Sequence, residues 1–296
     1  MDSVQECFAV WKHRLPTRAR RWLAVALWAL TASPACAQQT PAAGQNPPPV
    51  VTPPPGDDQT AITAVPNRPT ITTTAETVQR GVLELEYGFE LADGHQNMNG
   101  LLKFGVFKNL ELRLANNPFE RDTGITGLSD TGVGFKWRAV TQKGHVPTVS
   151  LLYTASLPTA TQNLGTGGVG HSLQILVSKD FGKHHFDVNE GPQFVARPQG
   201  GFDRNYFTSL SYSHPITEKL GATAEIAGFS KTNRDTPASM VLLGAFTYNV
   251  TPRLVLDAGA FVTVYGNQPR VVGLFGFTYA ISDLYHFHAT RKPGSH

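Results

Sequence analysis

From Gly81 to about Asp283 the chain is a near-continuous series of short segments in which apolar and polar residues alternate. Leu83-Glu84-Leu85-Glu86-Tyr87 sets the pattern, and Leu110-Glu111-Leu112-Arg113-Leu114 repeats it. Side chains on a strand point to opposite faces with a period of two, so each segment has one apolar and one polar face. A soluble sandwich hides the apolar face between two sheets. An outer-membrane barrel turns it to lipid and keeps the polar face for its lumen.

The alternation divides into twelve expected strands: roughly 80–91, 99–107, 109–116, 130–140, 147–157, 171–180, 184–195, 204–213, 219–229, 238–249, 253–265 and 269–282. Lys108-Asn109, Phe181-Gly182-Lys183, 214–218 and 249–252 read as tight turns. Between them fall longer loops rich in Gly, Asn and Asp, at 117–129, 158–170, 196–203 and 230–237. Short periplasmic turns alternating with longer external loops are the pattern of an up-and-down outer-membrane barrel, whereas a Greek-key sandwich has no reason to produce it. Trp137, Tyr212, Phe246, Tyr248 and Tyr279 fall toward one set of strand ends, and Tyr87, Phe89 and Tyr206 toward the other. Two aromatic belts are what amphipathic rings prefer at membrane interfaces. The expected fold is therefore all-β, a transmembrane antiparallel up-and-down barrel of twelve strands over residues 79–283, followed by a tail, 284–296.

Composition fits. Charged residues are 16% of the 296, and mean hydropathy is −0.18, too polar for a helical membrane protein and poor in charge for a soluble enzyme. Residues 1–37 hold five basic and two acidic side chains; removing them from 25 and 22 leaves 20 of each sign. A neutral remainder gives no reason to expect a nucleic-acid partner. Residues 1–37 read as a signal peptide: Arg20-Arg21, an apolar core 22–30, then Ala35-Cys36-Ala37 with small residues at a cleavage point. A core of about 10 apolar residues is too short to span a bilayer. Both cysteines, Cys7 and Cys36, lie within it, so the mature chain has no thiol and no disulfide. Residues 38–78 are expected to be a periplasmic spacer, opening with the low-complexity stretch 38–65 and its Pro47-Pro48-Pro49 and Pro53-Pro54-Pro55 runs.

Arg68-Pro69-Thr70, Glu76-Thr77-Val78 and Gly81-Val82-Leu83-Glu84-Leu85-Glu86-Tyr87-Gly88 resemble the start of the barrel in the outer-membrane family labelled "putative MetA-pathway of phenol degradation". Thr251-Pro252-Arg253-Leu254-Val255-Leu256-Asp257-Ala258-Gly259 resembles its penultimate strand, and the likeness spans about 66–282. The resemblance implies an outer-membrane barrel that takes up small organic compounds, and it carries over no functional residues. The tail beyond Tyr279 and Ile281 departs from barrels that end on an aromatic of the last strand.

On the inward face the first four strands contribute Glu84, Glu86, Lys103, Glu111, Arg113, Lys136 and Arg138, the candidate lumen-lining set. Strands eight, ten and twelve contribute Ser209, Ser211, Val241, Leu243, Ala245, Val272, Leu274 and Thr278. Two arrangements fit: an open pore with a charged ladder facing an apolar wall, or a charge network filling a narrow barrel. No catalytic, cofactor-binding or metal-binding residue is expected. Gly165-Thr166-Gly167-Gly168-Val169-Gly170 lacks the Lys-Ser/Thr of a phosphate loop. His171 and Ser172 are adjacent on a strand, so they face opposite sides and cannot act together as a lipid hydrolase requires. His184, His185, His286, His288 and His296 read as solvated. The expected role is an outer-membrane channel for passive uptake of small organic solutes, aromatic or hydrophobic ones included. The alternatives are a barrel-borne lipid hydrolase and a closed barrel anchoring a periplasmic tether. Expected partners are outer-membrane lipids and lipopolysaccharide, the solute, and the barrel-assembly machinery during insertion.

Overall fold

The computed structural model describes residues 61–122, 124–266 and 271–286. The expected signal peptide, residues 38–60 of the spacer, both cysteines, His288 and His296 lie outside them. Every regular element is a strand: β1 (Val82–Ala92), β2 (His95–Phe107), β3 (Leu110–Asp122), β4 (Ile125–Gly127), β5 (Thr131–Val140), β6 (Thr148–Leu157), β7 (Gly170–Phe181), β8 (His184–Ala196), β9 (Phe202–Pro215), β10 (Leu220–Phe229), β11 (Ser239–Thr251), β12 (Leu254–Tyr265) and β13 (Val271–Asp283). All pair antiparallel with their neighbours in sequence, apart from β3, which pairs with β5 as well as with the short β4. The pairing of β1 with β13 closes the ring of twelve long strands. The expected fold class and strand number are thus observed, with β4 as a small addition.

Closure leaves the twelve long strands without a free edge, so their backbone groups pair with neighbours within the wall, as hydrocarbon demands. The alternation sets the two faces. On β9, Leu210 is 44% exposed while Ser209 and Ser211 beside it are buried. Leu112, Leu114, Leu242, Leu256, Val262 and Phe275 form the same outward apolar surface. Trp137, Phe181, Phe246, Tyr248 and Tyr279 are exposed toward the end of the cylinder where β1 begins and β13 finishes, here called the termini end.

The connections are less regular than the sequence pattern implied. At the far end β1 and β2 are joined by Asp93-Gly94 alone, with Gly94 at φ +72°. A side chain there would be strained, and a two-residue hairpin turn of this kind favours glycine. β3 also runs on to Asp122 and folds back as β4, so much of the expected loop 117–129 is paired backbone. At the termini end the β5–β6 connection occupies 141–147, longer than the two-residue turns at 108–109 and 182–183.

The larger departure concerns residues 61–78. They do not continue a spacer outside the barrel but lie inside it, with Ile62, Ala64, Val65, Asn67, Thr72, Ala75, Glu76, Thr77 and Val78 buried. The physical reason is chemical fit. Past the proline runs the chain becomes Thr-rich, with free main-chain donors that the acidic and polar inner wall accepts.

An apolar belt on a closed cylinder belongs against lipid. Leu210→Arg, at mid-depth on the outer face, is expected to lower stability by about 2–4 kcal/mol, read from urea unfolding in phospholipid vesicles. Asp235→Arg in the β10–β11 loop should leave the midpoint unmoved. Equal midpoints for both variants would show that Leu210 does not face the membrane.

Candidate functional site: a segment threaded through the lumen

Residues 64–78 follow the inner wall around the barrel, meeting the strands in the order in which they neighbour one another. The Ala64 N–H donates to the Pro252 carbonyl at the termini end, 2.9 Å away. Val65 N–H then donates to Glu84 Oε2 at 2.7 Å, and Asn67 donates twice to Glu86 Oε1, each at 3.0 Å. Arg68 crosses to the last two strands, where its Nη2 donates to Asp257 Oδ1 on β12 at 3.4 Å and to the Phe275 carbonyl on β13 at 3.3 Å. Gly88 and Gly276 face each other across β1 and β13, and a Cβ at either would lie within 2.6 Å of the Arg68 guanidinium. Their bare backbone is what admits Arg68 to the wall.

Glu225 on β10 receives the turn of the segment: Ile71 N–H at 2.9 Å, Thr72 N–H at 2.6 Å and Thr72 Oγ1–H at 2.5 Å. Thr72 Oγ1 also hydrogen-bonds Ser209 Oγ on β9, 2.8 Å away. Asn189 on β8 exchanges two bonds with Thr73, accepting its N–H at 2.6 Å and donating to its carbonyl at 2.7 Å. Ser178 on β7 accepts the Ala75 N–H at 2.7 Å and donates to Asp187 at 2.5 Å. Asp187 is held in turn by His185, whose other nitrogen meets Asp180 at 2.7 Å. His185 is therefore bound between two carboxylates rather than solvated, a correction to the sequence expectation. Ser150 on β6 donates to the Ala75 carbonyl. Val78 N–H closes the circuit on Glu111 of β3 at 2.8 Å.

Charges on β1–β5 form the other half of the device. Lys103 is fully buried; it donates to the Val65 carbonyl at 2.6 Å, lies 2.5 Å from Glu84 Oε1 and also contacts Glu86. Lys136, also fully buried, donates to the Thr74 carbonyl at 3.2 Å and lies 3.7 Å from Glu111. Arg113 pairs with Glu111 at 2.9 Å, and Arg138 donates to Glu76 at 2.7 Å. Among the seven candidate residues, Glu84, Glu86 and Glu111 face the four cations Lys103, Arg113, Lys136 and Arg138. Glu76 of the segment is the fourth carboxylate, held also by Thr148 at 2.6 Å. Hydrogen bonds to ionised groups contribute about 1.5–3 kcal/mol each, so this lattice fastens the segment firmly.

The structure brings all seven candidates to one side of the lumen; six of them bond the segment directly, and Arg113 is tied to it through Glu111. Glu225, Asn189, Asp257 and Ser178, which also bind the segment, and Asp187, which holds Ser178, were not among them. Their signal was present but thin: each is a polar residue at an inward position, and only β8 carries two of them, Asp187 and Asn189.

Beyond the segment the lumen has two characters. Toward the far end, Leu243, Ala245, Val272 and Leu274 pack with Phe261, and Phe207, Ala227 and Val241 pack with Phe229, Phe261 and Ile71 of the segment. Toward the termini end lies a cavity of about 600 Å³ between residues 63–76 and the ends of β8–β12, lined by hydroxyls that include Thr70, Thr74, Ser211, Thr223 and Thr247. His171 turns outward to Tyr153 OH at 2.9 Å, away from Ser172. Among the described residues one group, His95, Glu120 and Asp122, brings potential metal ligands within 4.8 Å of one another, at the far end of β2 and β3. Nothing further at that rim points to a cation.

The sequence profile of the family described as "Putative MetA-pathway of phenol degradation" matches residues 66–281, and the chain belongs to that family. No curated protein matches the sequence significantly. The fold is similar to that of solved barrels. An outer membrane channel from Pseudomonas putida F1 is 12% identical, with a TM-score of 0.55 over 70% of this chain and 98% of that one. The NanC porin is 12% identical, with a TM-score of 0.51 over 67% of this chain and 100% of that one.

Removing one partner from a buried ionic cluster leaves the other charges uncompensated. Lys103→Met should therefore destabilise the protein by about 3–5 kcal/mol, measured as a shift in the urea midpoint. Adding Glu86→Gln to that variant should recover part of the loss. A Lys103→Met protein as stable as wild type would mean that the lattice does not hold the segment.

Proposed function

We propose that this chain is an outer-membrane channel for passive uptake of small organic solutes, aromatic or hydrophobic ones included, whose lumen is narrowed by its own residues 64–78. The observation that carries this reading is the division of the two faces. A lipid-facing apolar surface encloses a lumen with an apolar side, a polar cavity and a neutralised charge lattice. Selection by such a lumen rests on width, charge and polarity along the wall, with no chemical step. Membership of a family described by phenol degradation and a fold shared with a porin and an outer membrane channel support the same reading.

On this proposal residues 1–37 are the cleaved export signal, residues 38–60 remain in the periplasm, and the termini end of the barrel faces them, as both ends of outer-membrane barrels do. Lipopolysaccharide and phospholipid contact the outer face, and the assembly machinery inserts the chain. A specific observation also favours a second reading, a closed barrel that anchors the Pro-rich stretch: Lys103, Lys136, Glu84 and Glu111 are fully buried.

Planar-bilayer conductance separates the two. Deleting residues 62–78 is expected to raise single-channel conductance severalfold over wild type. Glu225→Ala, which frees the segment turn without shortening the chain, should give unstable, larger openings. Folding of each variant is checked by heat-modifiable migration on a gel. Folded wild-type protein that carries no current would exclude the channel and leave the anchor.

A further inference from the structure

Hydrogen bonds from the segment reach the long barrel strands all around the wall, and among the described residues β11 is the one long strand they leave untouched. Between Arg68, bound at β12 and β13, and Ile71, bound at β10, the main chain bridges a gap in front of β11. The cavity of about 600 Å³ opens on that same side, reaching Thr247 and Asn249 of β11 and Thr223 of β10. Above it, Ile71, Phe229 and Phe261 pack against Phe207, Ala227 and Val241, with Phe207 and Phe229 at 5.0 Å between ring centroids. On the opposite side, β1–β5, the charge lattice is buried, with Lys103, Lys136, Glu84 and Glu111 completely so.

We infer that the segment is a permanent liner rather than a removable plug, and that solute passes between its Arg68–Thr72 turn and strands β10–β12, with Ile71 setting the narrowest point. This rests on the channel reading and adds to it a path and a specificity-determining residue. The path has an apolar stretch built from Ile71, Phe229, Phe261, Val241 and Leu243, followed by the hydroxyl-lined cavity. That sequence of surfaces suits small uncharged organic molecules with one apolar face and one hydrogen-bonding face. Such a molecule exchanges water for apolar contact at the constriction and regains hydrogen bonds below it.

Ala75 packs with Leu176 of β7 and Leu152 of β6 on the limb of the segment remote from this path, and none of the three lines the cavity. Cys7 and Cys36, the chain's only cysteines, both precede the expected cleavage point. An Ala75→Cys/Leu176→Cys variant can therefore be oxidised to fix the segment in place, and Ala75→Cys/Leu152→Cys serves if the first pair folds poorly. In planar bilayers bathed in potassium chloride, the oxidised protein should carry current within about twofold of the reduced protein. In the oxidised background Ile71→Ala should raise the current and Ile71→Trp should lower it. An oxidised protein that is silent until dithiothreitol is added overturns the liner, because the segment must then leave for transport. Current that ignores both Ile71 substitutions overturns the path. Wild-type protein that is silent although folded, by gel migration, overturns the channel reading itself and the path with it, which distinguishes that failure from the other two.

Discussion

A charge removed from water must be met by an opposite charge and by hydrogen bonds, and the interior of this barrel is organised by that requirement. Lys103 and Lys136 have no exposed surface, and neither do Glu84 and Glu111. The wall alone cannot settle the account, since three carboxylates face four cations. Glu76 supplies the missing charge, and the main chain of residues 65–78 supplies acceptors to the lysines and donors to the carboxylates. Segment and wall are each unsatisfied without the other. The same logic runs on the far side of the ring, where Asp257 meets Arg68 and Glu225 meets two consecutive N–H groups. Irregular backbone at membrane depth is tolerated where protein surrounds it, which is the situation of this segment.

The barrel was legible in the sequence because its signal is geometric. Strict alternation such as Leu83-Glu84-Leu85-Glu86 assigns each side chain to a face, and one face must meet lipid. Strand number followed from counting those runs. Loop lengths followed less well: β3 extends to Asp122 because Asn116 and Phe119 to Asp122 pair with β2 despite a composition that reads as loop. Residues 61–78 were not legible at all as part of the lumen. Their bonds are mostly made by backbone groups, which every residue type carries, so composition holds no trace of them. Arg68 shows the limit well. Its place depends on Gly88 and Gly276 lying opposite each other on two strands far apart in sequence, a pairing that no local pattern announces.

The ring order of contacts also bears on assembly. Arg68 reaches partners 189 and 207 positions further along the chain, whereas Val65 and Asn67 reach partners 19 positions away. Closing long loops is entropically costly, and non-local contacts reward the chain only once distant strands are in place. The limb at Val65–Asn67 can form as soon as β1 and β2 pair. The limb from Arg68 to Thr72 needs β9, β10, β12 and β13, and thus the nearly closed barrel. Until then the carboxylates of Glu225 and Asp257 can remain solvated in a water-filled lumen. The segment is consequently the last piece of the wall to be completed although it precedes every strand in sequence, and its completion coincides with burial of the charge lattice that gives the lumen its final width.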